Sequence, residues 1–209
     1  LVGSAAVTGI GSGETLLGID LRPSDGLLYA LSSLGKVYTV DASTGAATLK
    51  ATLAADPADT SNPFVALAGT RFGIDFNPTV DRLRVVSDAG MNIRVNVDTG
   101  ATFTDAVLNL NGATPTVVAA AYTNNFDGAT ATQLFDIVAT DATLYVQAPP
   151  NDGTLAMPLP LGVAFSAAAD FDIDAVSNTG FAVLTAGGAA QLYSINLGAT
   201  ANAATAVGA

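Results

Sequence analysis

One phrase recurs four times along this chain, and no other feature restricts its fold as much. Each copy reads as a short apolar strand ending in Asp, a turn, a Leu-Tyr-type strand and a second Tyr-type strand. A Thr-Gly or Asp-Gly turn and an Ala/Thr/Val strand complete it. The first copy is Leu17-Gly18-Ile19-Asp20, Leu28-Tyr29-Ala30-Leu31, Val37-Tyr38-Thr39-Val40-Asp41 and Thr44-Gly45. The second is Phe72-Gly73-Ile74-Asp75, Leu83-Arg84-Val85-Val86, Ile93-Arg94-Val95-Asn96-Val97-Asp98 and Thr99-Gly100. A looser third copy carries Leu134-Phe135-Asp136-Ile137, Leu144-Tyr145-Val146-Gln147 and Asp152-Gly153. The fourth carries Phe171-Asp172-Ile173-Asp174, Gly180-Phe181-Ala182-Val183-Leu184 and Leu192-Tyr193-Ser194-Ile195-Asn196. Aligned on Tyr38, Arg94, Tyr145 and Tyr193, the copies are spaced 56, 51 and 48 residues apart.

A four-strand repeat of this length is the mark of a β-propeller blade. The expected fold is an all-β, propeller-like array in one domain, with blades at about 15–53, 71–110, 116–162 and 169–208. Residues 1–8 are left over as an orphan apolar strand, so an incomplete five-bladed ring is the other closure to consider. Within Ile93–Asp98 apolar and polar residues alternate, the period-2 pattern of a half-buried strand. Turns follow such runs at Pro23–Gly26, Asp41–Gly45, Asn151–Gly153 and Ser177–Gly180, where Gly tolerates positive φ and Asp or Asn bonds nearby backbone. The only helical expectation is a single turn at Ala54–Ala58.

Composition excludes more chemistry than it supplies. The chain has no Cys and no His, which removes thiolate sites, the usual zinc ligands and Ser-His-Asp catalysis. A net charge of −11 argues against nucleic acid and anionic membrane as partners. No apolar run approaches the roughly 20 residues of a membrane-spanning helix, so membrane insertion is not expected. Lys36, Lys50 and Glu14 are the only residues of their types, a profile that suits strands and turns better than helices. The start at Leu1 without Met reads as a processed or truncated chain.

Three phrases carry a family resemblance: Glu14–Asp20, Phe72–Asp88 and Ala120–Phe126. They are similar to the domain-of-unknown-function family numbered 4394, found mostly in exported bacterial proteins. The resemblance implies a propeller-like repeat fold and a secreted or extracellular location, and it brings no activity, ligand or catalytic residue. Members usually carry strands upstream of the position of Leu1.

Among individual residues, Asp20, Asp75 and Asp174 end equivalent first strands, which line the channel of a propeller, so their carboxylates are candidates for one Ca²⁺. The plainer reading has each Asp bonding its own blade turn, the same job done in every repeat. Asp170, Asp172 and Asp174 alternate along one strand, either as a solvated rim or as a structural Ca²⁺ site. Arg71, Arg82, Arg84 and Arg94 place four of the seven basic residues in blade two, as a patch for a neighbouring copy or as partners of Asp75, Asp81, Asp88 and Asp98. Tyr29, Tyr38, Tyr145 and Tyr193 read as inter-blade packing.

No reaction can be read from these residues. The expected protein is a non-catalytic, secreted or cell-surface structural protein without organic cofactor. Its expected partners are copies of itself, joined as the orphan strand (Leu1, Val2, Ala5 and Val7) is donated to a neighbouring sheet. The alternatives are a monomeric binding module for a glycan or cell-surface protein, and a carboxylate-dependent glycan hydrolase or lyase.

Overall fold

Four antiparallel sheets follow one another along the chain in the computed structural model, which describes residues 4–208. Blade one is β1 (Leu16–Leu21), β2 (Leu28–Ser32), β3 (Lys36–Val40) and β4 (Ala47–Thr52), followed by the two-residue β5 (Ala54–Ala55). Blade two is β6 (Phe72–Asn77), β7 (Arg82–Ser87), β8 (Asn92–Val95) and β9 (Ala101–Thr104). Blade three is β10 (Val117–Tyr122), β11 (Leu134–Val138), β12 (Thr143–Gln147) and β13 (Leu155–Pro160). Blade four is β14 (Ala167–Ile173), β15 (Gly180–Ala186), β16 (Ala189–Ile195) and β17 (Ala204–Ala206). Each blade is a simple meander, and the four form a β-propeller with β1, β6, β10 and β14 innermost and in contact in that order. The helical content among the described residues is one 3₁₀ turn at Pro150–Asp152. Among the described residues no helix is long and apolar enough to cross a membrane.

Three apolar clusters hold the blades face to face. Tyr29, Leu31, Ile74, Phe76 and Val85 join blades one and two. Val86, Tyr122, Leu134 and Tyr145 join blades two and three, and Phe135, Leu144, Phe171 and Tyr193 join three and four. Three of the four repeated tyrosines therefore pack between blades. The other, Tyr38, is buried with its hydroxyl donating to Glu14 Oε2 at 3.0 Å. Among the described residues no such cluster joins blade four back to blade one.

A second device recurs between blades. The segment leaving one blade runs parallel to the outer strand of the next: β5 pairs with β9, Asn109 with Thr154, and Pro160 and Leu161 accept the amides of Ala203 and Ala204. The supposed helical turn at Ala54 is therefore extended, because its amide is taken up by the Gly100 carbonyl at 2.9 Å. The described end of the supposed orphan strand takes the same place on blade one, where Thr8 pairs with Ala46 in parallel. Thr8 donates to the Gly45 carbonyl at 2.9 Å and accepts from the Ala47 amide at 2.8 Å.

This device gives the Thr-Gly and Asp-Gly turns a reason beyond turn geometry. Gly45 and Gly100 have φ of 75° and 80°. A Cβ there would lie 2.3 Å from the carbonyl oxygen of Ala6 and 2.0 Å from that of Thr52, both on the incoming segment. Glycine is needed for the close approach as well as for the left-handed backbone. The third copy also differs from its expected placement. Leu134–Ile137 lies within the second strand of blade three, and the innermost strand is the Ala-rich β10, which carries no acid.

Candidate metal centre at the ring seam

Where blade four comes round to blade one, the channel end of the seam is lined by carboxylates. One oxygen each from Asp20 on β1, Asp75 on β6 and Asp172 on β14 lie within 4.8 Å of one another. Two ligands of a Ca²⁺ ion, each bonded at about 2.4 Å, sit at most about 5 Å apart, so this spacing fits one hard cation shared by three blades. The three border a cavity of about 210 Å³ that Asp170 also lines.

Each carboxylate is fixed differently. Asp20 accepts the Leu21 amide on Oδ1 and the Phe76 amide on Oδ2, both at 2.7 Å. Asp172 accepts the Ile173 amide at 2.6 Å. Asp75 is fully buried, and its Oδ1 has no hydrogen-bond partner. Among the described residues no Lys or Arg pairs with any of the three. Burial, then the neighbouring carboxylates, pushes Asp75 well above the ordinary range. Burial likewise raises Asp20 to about 8. Asp170 and Asp172 are exposed on the seam face, where partial desolvation against blade one raises Asp170 to about 6 and Asp172 as well. Carboxylates crowded together without a basic partner, two of them buried, favour either protonation or a bound cation.

The channel triad expected from the sequence shares Asp20 and Asp75 with this one; the third place, expected for Asp174, is taken by Asp172 of the Asp170, Asp172 and Asp174 cluster. Asp174 lies just past the end of β14, exposed, where its Oδ1 accepts the Ser177 amide at 2.7 Å and hydroxyl at 2.6 Å. Those bonds hold its carboxyl below the usual range, the local turn role expected of a repeated Asp. The channel position of blade four belongs to Asp172, two residues earlier.

The arginine patch also differs from expectation. Arg84 and Arg94 both pair with Asp105, at 2.6 and 2.8 Å, and not with Asp75 or Asp88. Asp81 and Asp98 are bound instead by Arg22 of blade one. Arg82 donates to the carbonyls of Val80 and Asp81, and Arg71 is exposed beside Asp88. Ala5 and Val7 are exposed in the segment beside blade one, whereas Leu1 and Val2 lie outside the described residues. Arg22 and Asp105 carried no sequence signal, because each takes its partners from a neighbouring blade or strand.

The repeat, the blade order and the second-blade phrase Phe72–Asp88 agree with one family pattern, which matches residues 1–209. The chain belongs to the DUF4394 family, a domain of unknown function. No curated protein sequence matches it. Its fold resembles that of a protein of unknown function from Bacteroides thetaiotaomicron, at 16% identity and a TM-score of 0.58, over 86% of this chain and 44% of that one. It also resembles the Dos1 propeller, at 13% identity and a TM-score of 0.51, over 90% of this chain and 45% of that one. A third likeness is to a glutaminyl cyclase from Myxococcus xanthus, at 13% identity and a TM-score of 0.52, over 88% of this chain and 75% of that one. The chain spans under half the length of the first two. At these identities the likeness speaks for the propeller fold alone.

Proposed function

We propose that this DUF4394 chain is a non-catalytic, exported structural module that associates with copies of itself through its two terminal blade faces. The observation that carries the reading is the pair of uncovered apolar faces at the seam. On blade one, Ile19 and Leu21 are 45% and 54% exposed, with Leu49 exposed in line with Ile19 across the sheet. On blade four, Phe181 and Leu192 are 37% and 41% exposed. Repeat arrays that remain monomeric cap their terminal faces with polar residues, whereas these two faces expose large apolar side chains, on blade four beside the acids Asp170 and Asp172. Inside the chain every blade stacks one face on the opposite face of the next, so blade four of one copy matches blade one of another. Such a head-to-tail contact closes into a ring or extends as a filament. The bonding of Thr8 to its own blade one supports a contact through the faces over donation of the N-terminal strand. A divalent cation on Asp20, Asp75 and Asp172 would set the angle between the two faces.

The test is light scattering across a concentration series, with Leu21→Asp and Leu192→Asp as variants. Assembly of the wild type, lost in each variant with circular dichroism unchanged, supports the reading. Monodisperse monomer at every wild-type concentration ends it. A polysaccharide panel showing turnover that disappears in Asp20→Asn, Asp75→Asn or Asp172→Asn would replace it with an enzyme. A second reading, a monomeric glycan-binding module, is favoured by a cavity of about 610 Å³ between blades three and four, lined by uncharged amides and hydroxyls such as Asn124, Gln133, Asn178 and Ser194.

A further inference from the structure

Three of the seven basic residues of this acidic chain, Arg82, Arg84 and Arg94, border one cavity of about 580 Å³ at the rim between blades two and three. The concentration of charge is not balanced locally. Arg84 and Arg94 share a single carboxylate, Asp105, and Arg82 forms no ion pair among the described residues. Asp152 is the one acid on the cavity wall.

The site is built, not incidental. Arg84 is 2% exposed and is held from several sides. Its Nε donates to the Tyr122 hydroxyl at 3.2 Å, Nη1 to Asn92 and Asp105 at 2.7 and 2.6 Å, and Nη2 to Asn151 at 2.8 Å. Asn92 is itself fixed by donating to the carbonyls of Ala106 and Pro150. Arg94 stacks on the Phe103 ring at 4.8 Å while its Nε and Nη2 grip Asp105. A guanidinium has five N–H donors. Arg84 uses four, Arg94 two, and Arg82 places Nη1 on backbone carbonyls, so unspent donors remain on all three arginines that line the cavity. Rigid forks of this kind bind carboxylate bidentately.

The rest of the wall decides the size and kind of ligand. Val80, Pro149 and Pro150 supply an apolar surface, and Asn77, Tyr122 and Asn151 supply neutral polar atoms. The volume is in the range of small-molecule sites and far larger than a bare oxyanion needs. We propose that this cavity binds a small organic carboxylate of sugar-acid size, its carboxylate clasped by Arg82, Arg84 and Arg94 and its ring against Val80, Pro149 and Pro150. The site is independent of the seam and of any assembly through it.

Isothermal titration calorimetry with galacturonic acid tests the proposal, with galactose and inorganic phosphate as parallel arms. Galacturonate is expected to bind at least tenfold more tightly than either. Arg82→Gln and Arg94→Gln are each expected to weaken it by tenfold or more. Arg82 bonds only carbonyls of its own turn, so its variant keeps the fold, and circular dichroism verifies this for both. No galacturonate binding at millimolar concentration overturns the proposal. So does equal binding of galactose, which makes the carboxylate irrelevant, or of phosphate, which makes the site a general anion sink. Unchanged affinity in both variants places the ligand elsewhere and overturns it as well.

Discussion

The carboxylate of Asp20 accepts the backbone amide of Phe76 at 2.7 Å, tying the inner strand of blade one to that of blade two at the point where Asp75 and Asp172 converge. The bond satisfies one oxygen, but it leaves three acids close together with no basic partner. Their expected response to a divalent cation is stabilisation of the folded state by mass action. At about 100 times its dissociation constant a ligand adds about 2.7 kcal/mol. Millimolar Ca²⁺ should therefore raise Tm by about 5 °C or more in scanning calorimetry. Asp75→Asn should abolish that response while leaving the metal-free protein at least as stable, since a neutral amide replaces a buried carboxyl that must hold a proton to stay uncharged. No shift with Ca²⁺ would dispose of the site.

Asp136, on β11, is the clearest source of pH dependence. It is wholly buried, neither oxygen has a hydrogen-bond partner, and burial lifts its pKa to about 8, with Arg84 pulling the other way. A carboxyl that binds its proton more tightly when folded stabilises the fold at low pH. That contribution is complete below the unfolded value near 4 and is lost as pH rises through about 8. The expected slope between pH 5 and 8 is a loss approaching about 1.4 kcal/mol per pH unit for this one proton. Urea midpoints across that range should fall with pH in the wild type and fall less steeply, by one proton's share, in Asp136→Asn, where the raised Asp20 and Asp75 still contribute; parallel curves would refute the assignment.

Arg22 fastens blade one to blade two. Its Nε and Nη2 grip Asp81 at 2.8 and 2.6 Å, Nη2 reaches Asp98 at 2.9 Å, and Nη1 reaches Asp25 at 3.1 Å. Removing one side of a buried pair costs about 3–5 kcal/mol. Asp81 and Asp98 are nearly half exposed and can recover water, so Arg22→Ala should cost about 2 kcal/mol in chemical denaturation. Arg22→Lys should recover under half of that, because an ammonium cannot bind Asp81 bidentately. Full recovery would show that charge alone matters there.

Gly73 and Gly18 offer a graded test of how closely the inner strands approach. A Cβ at Gly73 would lie 2.5 Å from the Ala120 nitrogen, on the backbone of β10, whereas one at Gly18 would meet the Ile74 side chain at 2.7 Å. Backbone cannot move aside and an isoleucine tip can. Gly73→Ala should cost about 3 kcal/mol and Gly18→Ala about 1 kcal/mol or less, measured by thermal melts. Equal losses would mean that the β6–β10 spacing is softer than the geometry implies.

Periodicity alone determined the four blades, their order and most strand positions. Alternation and turn glycines are local properties, and a repeat states them four times over. Composition likewise restricted the chemistry, since a chain without His or Cys has few reactive side chains to arrange. The tertiary structure decided everything that depends on a second blade. Thr8 reads as an orphan strand until its parallel partner Ala46 is in place, and Ala54 reads as helical until Gly100 takes its amide. Asp174 matches the repeat better than Asp172 does, yet only Asp172 remains on β14 where the strand reaches the channel. Arg84 pairs with an acid twenty-one residues away and with Asn151 from the next blade, contacts that no spacing rule encodes. The reason is general: backbone conformation follows from near neighbours, whereas a buried charge takes its partner from whichever blade is packed against it.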